Sequence, residues 1–141
     1  MLIDATSEKP TSVQRTAICL WISAGLALTL TVVQAIGLIE TTHVGLAVVT
    51  GLITAGLLAL VAVKIGAGRG WARWLFAVLY VFGSFAFIVS VLIAPEMFRA
   101  LPSILQGSSI VQFVLQTVAL VLVFTSTSRQ WFKAKRVRTA P

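Results

Sequence analysis

The chain has 141 residues, of which 58% are hydrophobic and only 11% are Asp, Glu, Lys or Arg. Because an average soluble domain carries about 25% of these charged residues, the composition argues against a soluble globular protein. The net charge of +7 comes from basic residues next to apolar segments, which favours contact with anionic lipid headgroups over nucleic-acid binding.

Four long uncharged segments follow one another along the chain. Residues 16–39, 41–63, 74–95 and 100–128 contain no Asp, Glu, Lys or Arg. A helix needs about 20 apolar residues to cross a hydrocarbon core about 30 Å thick, so each segment is long enough. We predict one domain over residues 1–141 with four transmembrane helices, at about 16–39, 44–63, 74–94 and 108–127.

The basic residues lie almost entirely at one end of the predicted spans. Ten of the eleven precede the first span, join the second to the third, or follow the fourth, and Arg99 is the exception. Since positively charged loops are retained in the cytoplasm, we predict that both termini are cytoplasmic in a multi-pass inner-membrane protein. The predicted fold is an all-α, four-transmembrane-helix up-down bundle with a basic cytoplasmic tail at 129–141.

This basic side is the predicted contact surface for anionic lipid headgroups, to which each basic residue contributes about 1 kcal/mol. Trp71, Trp74 and Trp131 fall at the same level, where amphipathic rings prefer to lie, so an aromatic belt is predicted there. The candidate lipid-contacting residues are Lys64, Arg69, Arg73, Arg129, Lys133, Lys135 and Arg136.

Small residues recur every four positions in the first three spans. Such residues lie one above the other on a helix and let helix backbones approach closely in lipid. These predicted packing faces are Cys19, Ser23, Ala27, Thr31 and Ala35 in the first span, Ala47, Gly51, Ala55 and Ala59 in the second, and Ala86, Ser90 and Ala94 in the third, with Gly83 beside them.

Polar side chains occur inside three spans. The fourth span has Ser109, Gln112, Gln116 and Ala119 on one face. An unpaired amide in hydrocarbon is costly, so Gln34 is predicted as a partner of these glutamines. Tyr80 is predicted to bond a Ser or Thr. Two interpretations remain open for these polar residues, which are Gln34, Tyr80, Gln112 and Gln116. They make polar contacts inside the bundle, or they line a pathway for a substrate or an ion.

The longest connection, at 95–108, is predicted to lie on the outer side. It contains Pro95 and Pro102, which interrupt helices. A short interfacial helix is predicted, with Met97, Phe98, Leu101, Ile104 and Leu105 on its apolar face. Glu40, His43 and Glu96 make an incomplete metal-ligand set, so neither a metal nor a cofactor is predicted. Candidates for contact with a partner at this face are Glu40, His43, Glu96, Phe98 and Arg99.

No charged residue lies at the centre of a predicted span. Ion-coupled carriers usually hold one there, and catalysis needs a nucleophile, an acid–base pair or a redox dithiol, none of which the pattern offers. We therefore predict a non-enzymatic membrane protein that acts by binding, as an accessory, assembly or immunity-type subunit with a membrane-protein partner or with copies of itself. The alternatives are a small oligomeric channel or transporter and, third, a lipid-acting enzyme.

Two segments carry a resemblance to a known group of proteins. They are GRGWARWLFAVLYVFG, whose basic and aromatic residues at 69–74 open the third span, and LQTVALVLVFTSTSRQWFKAKR, which continues into a polar and basic tail. In these segments the chain resembles small uncharacterised four-span proteins of bacterial inner membranes. The resemblance implies the same fold and location, and it transfers no functional residue.

Overall fold

The computed structural model describes residues 9–37, 43–93 and 95–138, except for the side chains of Ser90, Met97 and residues 135–138. Four helices in these ranges are long and apolar enough to cross a membrane: α1, α2, α3 with the π-helical turn that continues it, and α5. No strand occurs in the same ranges, so the all-helical prediction is confirmed. The elements are α1 (Thr11–Ala35), α2 (Val44–Gly66), α3 (Gly70–Ile88), the π-helical turn (Val89–Ile93), α4 (Pro95–Arg99), α5 (Ser103–Val123) and α6 (Ser126–Arg138).

Two prolines determine where long helices begin. Pro10 is extended (φ −57°, ψ 143°) and precedes α1, and Pro102 (φ −51°, ψ 142°) precedes α5 in the same way. The Pro102 carbonyl accepts hydrogen bonds from the backbone N–H groups of Leu105 and Gln106. The helices therefore start at Thr11 and Ser103, earlier than the predicted spans at 16 and 108, and α5 ends at Val123 rather than near 127.

The outer connection differs from its prediction. α4 contains only Pro95–Arg99, and Pro102 separates it from α5, to which Ile104 and Leu105 belong. The predicted interfacial helix with one apolar face through all five residues is therefore wrong. The physical reason is that Pro102 keeps its own backbone extended and starts a new helix at the next residue.

The segment predicted as a basic tail forms α6 over most of its length. A break at Phe124 and Thr125 separates it from α5. The Leu122 carbonyl accepts hydrogen bonds there from the hydroxyls of Thr125 (2.9 Å) and Ser128 (3.0 Å). Ser12 lies 2.8 Å from the Ser128 hydroxyl, so these polar contacts attach the start of α6 to the start of α1.

The long helices pack as antiparallel neighbours. Along α1, Ser12 meets Ser128 of α6, and then Thr16 and Ser23 meet Ala119 and Gln112 of α5. α1 contacts α2 and α5, and α3 also contacts α2 and α5. We call the end where α1, α3 and α6 begin the basic end, because all described Lys and Arg residues except Arg99 lie on or next to the elements that meet there.

The hydrophobic core is concentrated at the basic end. Its buried side chains come from the first half of α1, the second half of α2, the start of α3, the end of α5 and α6. They are Val13, Leu20, Ala24, Leu58, Val61, Ala62, Ile65, Ala72, Phe76, Ala119, Val123, Trp131 and Phe132. The opposite half of the bundle contributes few buried residues, so the two ends differ sharply in packing.

Two of the three predicted small-residue faces pack as expected. Ser23, Ala27 and Thr31 are buried on α1, and a Cβ atom added to Gly51 of α2 would collide with the Thr31 hydroxyl. On α3, by contrast, Gly83 and Ala86 are exposed, and nothing lies within 4 Å of a Cβ added to Gly83.

The third packing face is thus wrong for its described residues, because α3 contacts α5 through aromatic side chains instead. The Tyr80 and Phe87 rings of α3 stack on Phe113 of α5, at 6.0 and 5.0 Å between ring centroids. Rings of this size hold the two helices further apart than small residues would. The space that results adjoins Gly83.

Candidate functional site

A cleft occupies the half of the bundle away from the basic end. Its inner chamber, of about 320 Å³, lies between α2, α3 and α5. Its outer chamber, of about 510 Å³, lies between α1, α2, the residue Leu101 and the start of α5. Thr54, Ser109 and Gln112 line both chambers, so the two spaces adjoin at these residues.

The hydrophobic core closes the cleft towards the basic end. Leu58 and Phe76 line the inner chamber and are also core residues, 6% and 1% exposed. Below them, Val61, Ile65 and Val123 are almost completely buried. The cleft therefore enters the bundle from the end opposite the basic end and stops at the core.

Gln112 lies at the junction of the two chambers and is held by α1. Its side-chain Nε2 donates a hydrogen bond to the Ser23 backbone carbonyl at 3.2 Å. The predicted partner, Gln34, lines the outer chamber but does not bond Gln112, so that pairing is wrong. The Nε2 group reaches the backbone carbonyl of Ser23 because α1 and α5 approach closely at that residue. The side-chain oxygen of Gln112 accepts no hydrogen bond from a described residue.

Tyr80 forms the predicted bond to a Ser or Thr. Its hydroxyl lies 2.8 Å from the Thr117 hydroxyl, and Thr117 donates to the Phe113 carbonyl at 2.7 Å. Because the single hydroxyl hydrogen of Thr117 is given to Phe113, the Tyr80 hydroxyl is the donor in its bond with Thr117. The prediction is confirmed, and the bond fixes one edge of the aromatic side of the inner chamber.

Aromatic rings form that side of the inner chamber. Tyr80, Phe113 and Phe87 follow one another in stacked contacts, and Phe87 meets the edge of Phe98 in α4 at 6.0 Å. Phe98, a candidate for partner contact, is half-buried at this position. The row of rings thus runs from the middle of the bundle to α4.

Several polar atoms of the cleft are left without protein partners. The Ser84 Oγ atom lines the inner chamber, is buried, and has no hydrogen-bond partner among the described residues. Gln116 in the inner chamber and Gln34 in the outer chamber also form no hydrogen bond within the described ranges. An unpaired buried hydroxyl such as that of Ser84 costs about 1–3 kcal/mol, whereas the two glutamines are half-buried. All three groups are placed to bond a molecule that supplies donors and acceptors.

The lining of the cleft carries no Asp, Glu, Lys or Arg among the described residues. His43, which immediately precedes α2, is exposed and lines the outer chamber. The site therefore offers hydroxyl and amide groups, aromatic rings and aliphatic side chains. It can bind a neutral molecule by hydrogen bonds and apolar contact.

Those outer-face candidates that the structure describes do not form a cluster that could hold a metal. Glu40 lies outside the described residues, while Glu96 and Arg99 are exposed on α4. No group of three or more His, Cys, Asp or Glu side chains that could bind a metal is found in the described part of the chain. The α4–α5 connection is instead stabilised by Gln106, whose Nε2 donates to the Leu101 carbonyl at 2.7 Å.

Most of the basic-end candidates are accessible, with one exception among the described side chains. Arg69, Arg129 and Lys133 are exposed and Lys64 is half-buried, while the Lys135 and Arg136 side chains lie outside the described set. The exception is Arg73, a half-buried residue whose guanidinium carbon lies 5.4, 5.9 and 6.0 Å from the ring centroids of Phe132, Phe124 and Trp74. Cation–π contact therefore holds this side chain within the α3–α5–α6 corner.

The predicted aromatic belt is only partly an exposed surface. Trp71 and Trp74 are exposed, whereas Trp131 is 7% exposed and packs edge-on against Phe132. Trp131 faces the protein because α6 folds back on the bundle rather than continuing as a tail. Its place in the predicted belt is therefore wrong.

Some residues of the cleft were missed by sequence reasoning. Ser84 and Phe87 follow Tyr80 by one and two helical turns and therefore share its face. That periodicity was a usable signal. Phe113 and Thr54 gave no comparable signal, because their roles depend on how far α3 stands from α2 and α5.

Comparison of the chain with protein-family models, curated proteins and solved structures finds no match, so the resemblance to small four-span inner-membrane proteins stays a prediction.

Proposed function

We propose that the four long helices cross the inner membrane as an up-down bundle with the basic end in the cytoplasm. Ten of the eleven Lys and Arg residues belong to segments at that end, and basic segments are retained on the cytoplasmic side. Alkaline phosphatase and green fluorescent protein, fused in turn after residue 138, test this orientation. Fluorescence without phosphatase activity is expected, and the reverse pattern would contradict it.

We propose further that the protein is non-enzymatic and acts by binding an uncharged molecule in the cleft, as an accessory, assembly or immunity-type component of the membrane. The observation that carries this proposal is the lining of the cleft. Unpaired hydroxyl and amide groups converge there with aromatic rings in an uncharged, concave space. Ligand sites commonly combine these features, in volumes of about 300–1,000 Å³.

Binding is tested by asking what the protein retains on purification. The full chain, extracted with its surrounding lipid into nanodiscs, is examined by native mass spectrometry and its small molecules are released and identified. Gly83→Leu places a side chain next to the inner chamber in space that is open on the described structure. We expect wild type to retain one small molecule that Gly83→Leu lacks.

The matched control is Gly107→Leu, since Gly107 is a helical glycine that also has nothing within 4 Å of an added Cβ but lines neither chamber. This variant should retain the molecule as wild type does. The same set of bound molecules in wild type and Gly83→Leu would count against a function that depends on the cleft.

A second candidate function is a small transporter, alone or as an oligomer. The arrangement of the two chambers favours this candidate, because together they form a path from the end opposite the basic end to the middle of the bundle. Transport would require the core around Leu58 and Phe76 to open. Flux of neutral solutes into liposomes that contain the purified protein is the test. A saturable flux lost in Gly83→Leu would favour transport over binding alone.

A further inference from the structure

We propose that the ligand of the cleft is a neutral amphipath, with one uncharged hydrogen-bonding head and a long apolar tail, that enters from the lipid between α2 and α3. This inference rests on the binding function proposed above and specifies its ligand.

The inner chamber selects against a charged head. Its lining has no Asp, Glu, Lys or Arg within the described ranges, and it lies in the part of the bundle that the four apolar helices surround. An ion there would lose its hydration without gaining a counter-charge, at a cost of several kcal/mol. A hydroxyl, carbonyl or amide head avoids that cost, since Ser84, Gln112 and Gln116 supply hydrogen-bonding groups.

The inner chamber opens sideways between α2 and α3. Thr54 of α2 and Gly83 of α3 both line the chamber, and both are exposed. A Cβ added to Gly83 has nothing within 4 Å, so α3 leaves a gap beside α2 at this level. In a membrane this side of the helices faces lipid tails, which gives a lipid-dissolved molecule direct access.

The side-chain amides of the inner chamber are confined to one helix. Gln112 and Gln116 are on α5 with Ser109, whereas α2 and α3 contribute the leucines Leu57 and Leu79 together with smaller polar groups. A head bound at α5 therefore leaves its tail running between the leucines towards the gap. At about 320 Å³ the chamber is near the lower limit of ligand sites, so a long tail must extend out of it into the lipid.

Photolabelling in nanodiscs tests both the head and the tail. Three hexadecyl probes carry a diazirine beside the head and differ only there: an alcohol, a carboxylate and a trimethylammonium. Labelled peptides are mapped by mass spectrometry. We expect the alcohol to label residues 80–87 and 112–116 at least about 10-fold more than either charged probe, since several kcal/mol of desolvation separate them.

Two variants and one control make the site assignment specific. Gly83→Leu should reduce labelling by the alcohol about 10-fold, and Gly107→Leu should leave it unchanged. Ser84→Ala, which removes one small polar group and cannot block the chamber, should reduce labelling a few-fold, as expected for one hydrogen bond worth about 1 kcal/mol. Circular dichroism and gel filtration confirm that each variant is folded.

Other outcomes would overturn the inference in distinguishable ways. Equal labelling by all three probes would mean that the cleft does not select a neutral head. Labelling by a short water-soluble neutral diazirine, but not by the hexadecyl alcohol, would show that the binding function stands and the amphipath does not. Absence of labelling by every probe, together with unchanged co-purified molecules in Gly83→Leu, would refute both proposals.

Discussion

The two ends of the bundle use the same helices in opposite ways. At the basic end, five elements meet and Leu20, Ile65, Phe76 and Val123 are almost completely excluded from solvent. At the other end, α3 stands away from α2, and polar groups face an open cleft. The difference separates a closely packed half of the bundle from an open half along the same helix axes.

The inner face of α5 shows the change of role within a single helix. Ser109, Gln112 and Gln116 line the cleft, and Ala119 on the same face is fully buried against α1. Thr16 of α1 lies over the Ala119 carbonyl at 3.5 Å. The polar residues of this face thus end at Ala119, whose small side chain allows α1 and α5 to come into contact.

The largest expected effect comes from truncating matched leucines on α1. Leu20 is fully buried at the basic end, whereas Leu30 is half-buried and lines the outer chamber. Leu20→Ala should lower the free energy of unfolding by about 2–5 kcal/mol, because it leaves a cavity in a packed core. Leu30→Ala should cost less than about 1 kcal/mol, since it borders space that is already open. Reversible unfolding in mixed micelles measures both, and equal losses would remove the distinction between the ends.

The next effect concerns two glycines of α2. A side chain at Gly51 collides with Thr31, while a Cβ at Gly56 has nothing within 4 Å. Gly51→Leu should therefore destabilise the α1–α2 pair by about 1–3 kcal/mol through overpacking. Gly56→Leu should be neutral or stabilise by up to about 1 kcal/mol through helix propensity. If both variants melted at the same temperature, close packing of α1 on α2 would be disproved.

The smallest effect distinguishes two serines. The Ser128 hydroxyl is fully buried and bonds the Leu122 carbonyl and Ser12, whereas the Ser84 hydroxyl is buried without a described partner. Ser128→Ala should cost about 0.5–1.5 kcal/mol, because the Leu122 carbonyl keeps the Thr125 hydroxyl as a donor, and Ser84→Ala should be close to neutral or slightly stabilising. A measurable loss of ligand-free stability in Ser84→Ala would show that this hydroxyl is already satisfied in the protein.

The sequence predicts the helices well because uncharged length alone defines a span. The four polar side chains that it singled out, Gln34, Tyr80, Gln112 and Gln116, all line one or both of the chambers. Each lies inside an apolar segment, where a polar residue is conspicuous. The Tyr80–Thr117 bond was predictable in kind, since a buried phenol needs a partner.

Other features depend on distances between helices, which one sequence does not contain. The small residues of α3 resembled those of α1 and α2. The stacked rings of Phe87 and Phe113, however, separate α3 from α5, so the small residues of α3 border open space instead of another helix. Likewise, α6 carries the charge of a solvated tail, and only the contacts of Trp131, Phe132 and Ser128 bring it against the bundle. In both cases the local sequence pattern was present, but the packing of aromatic side chains determined where the helix lies.

Cysteine accessibility along α5 tests the central claim most directly. In a Cys19→Ala background, Ser109→Cys and Ala119→Cys place single thiols on one face of the same helix, in the cleft and in the core. A small membrane-impermeant thiol reagent added opposite the basic end should modify Ser109→Cys and leave Ala119→Cys unmodified. Modification of both thiols, or protection of Ser109→Cys, would contradict a cleft that opens at that end and is closed by the core.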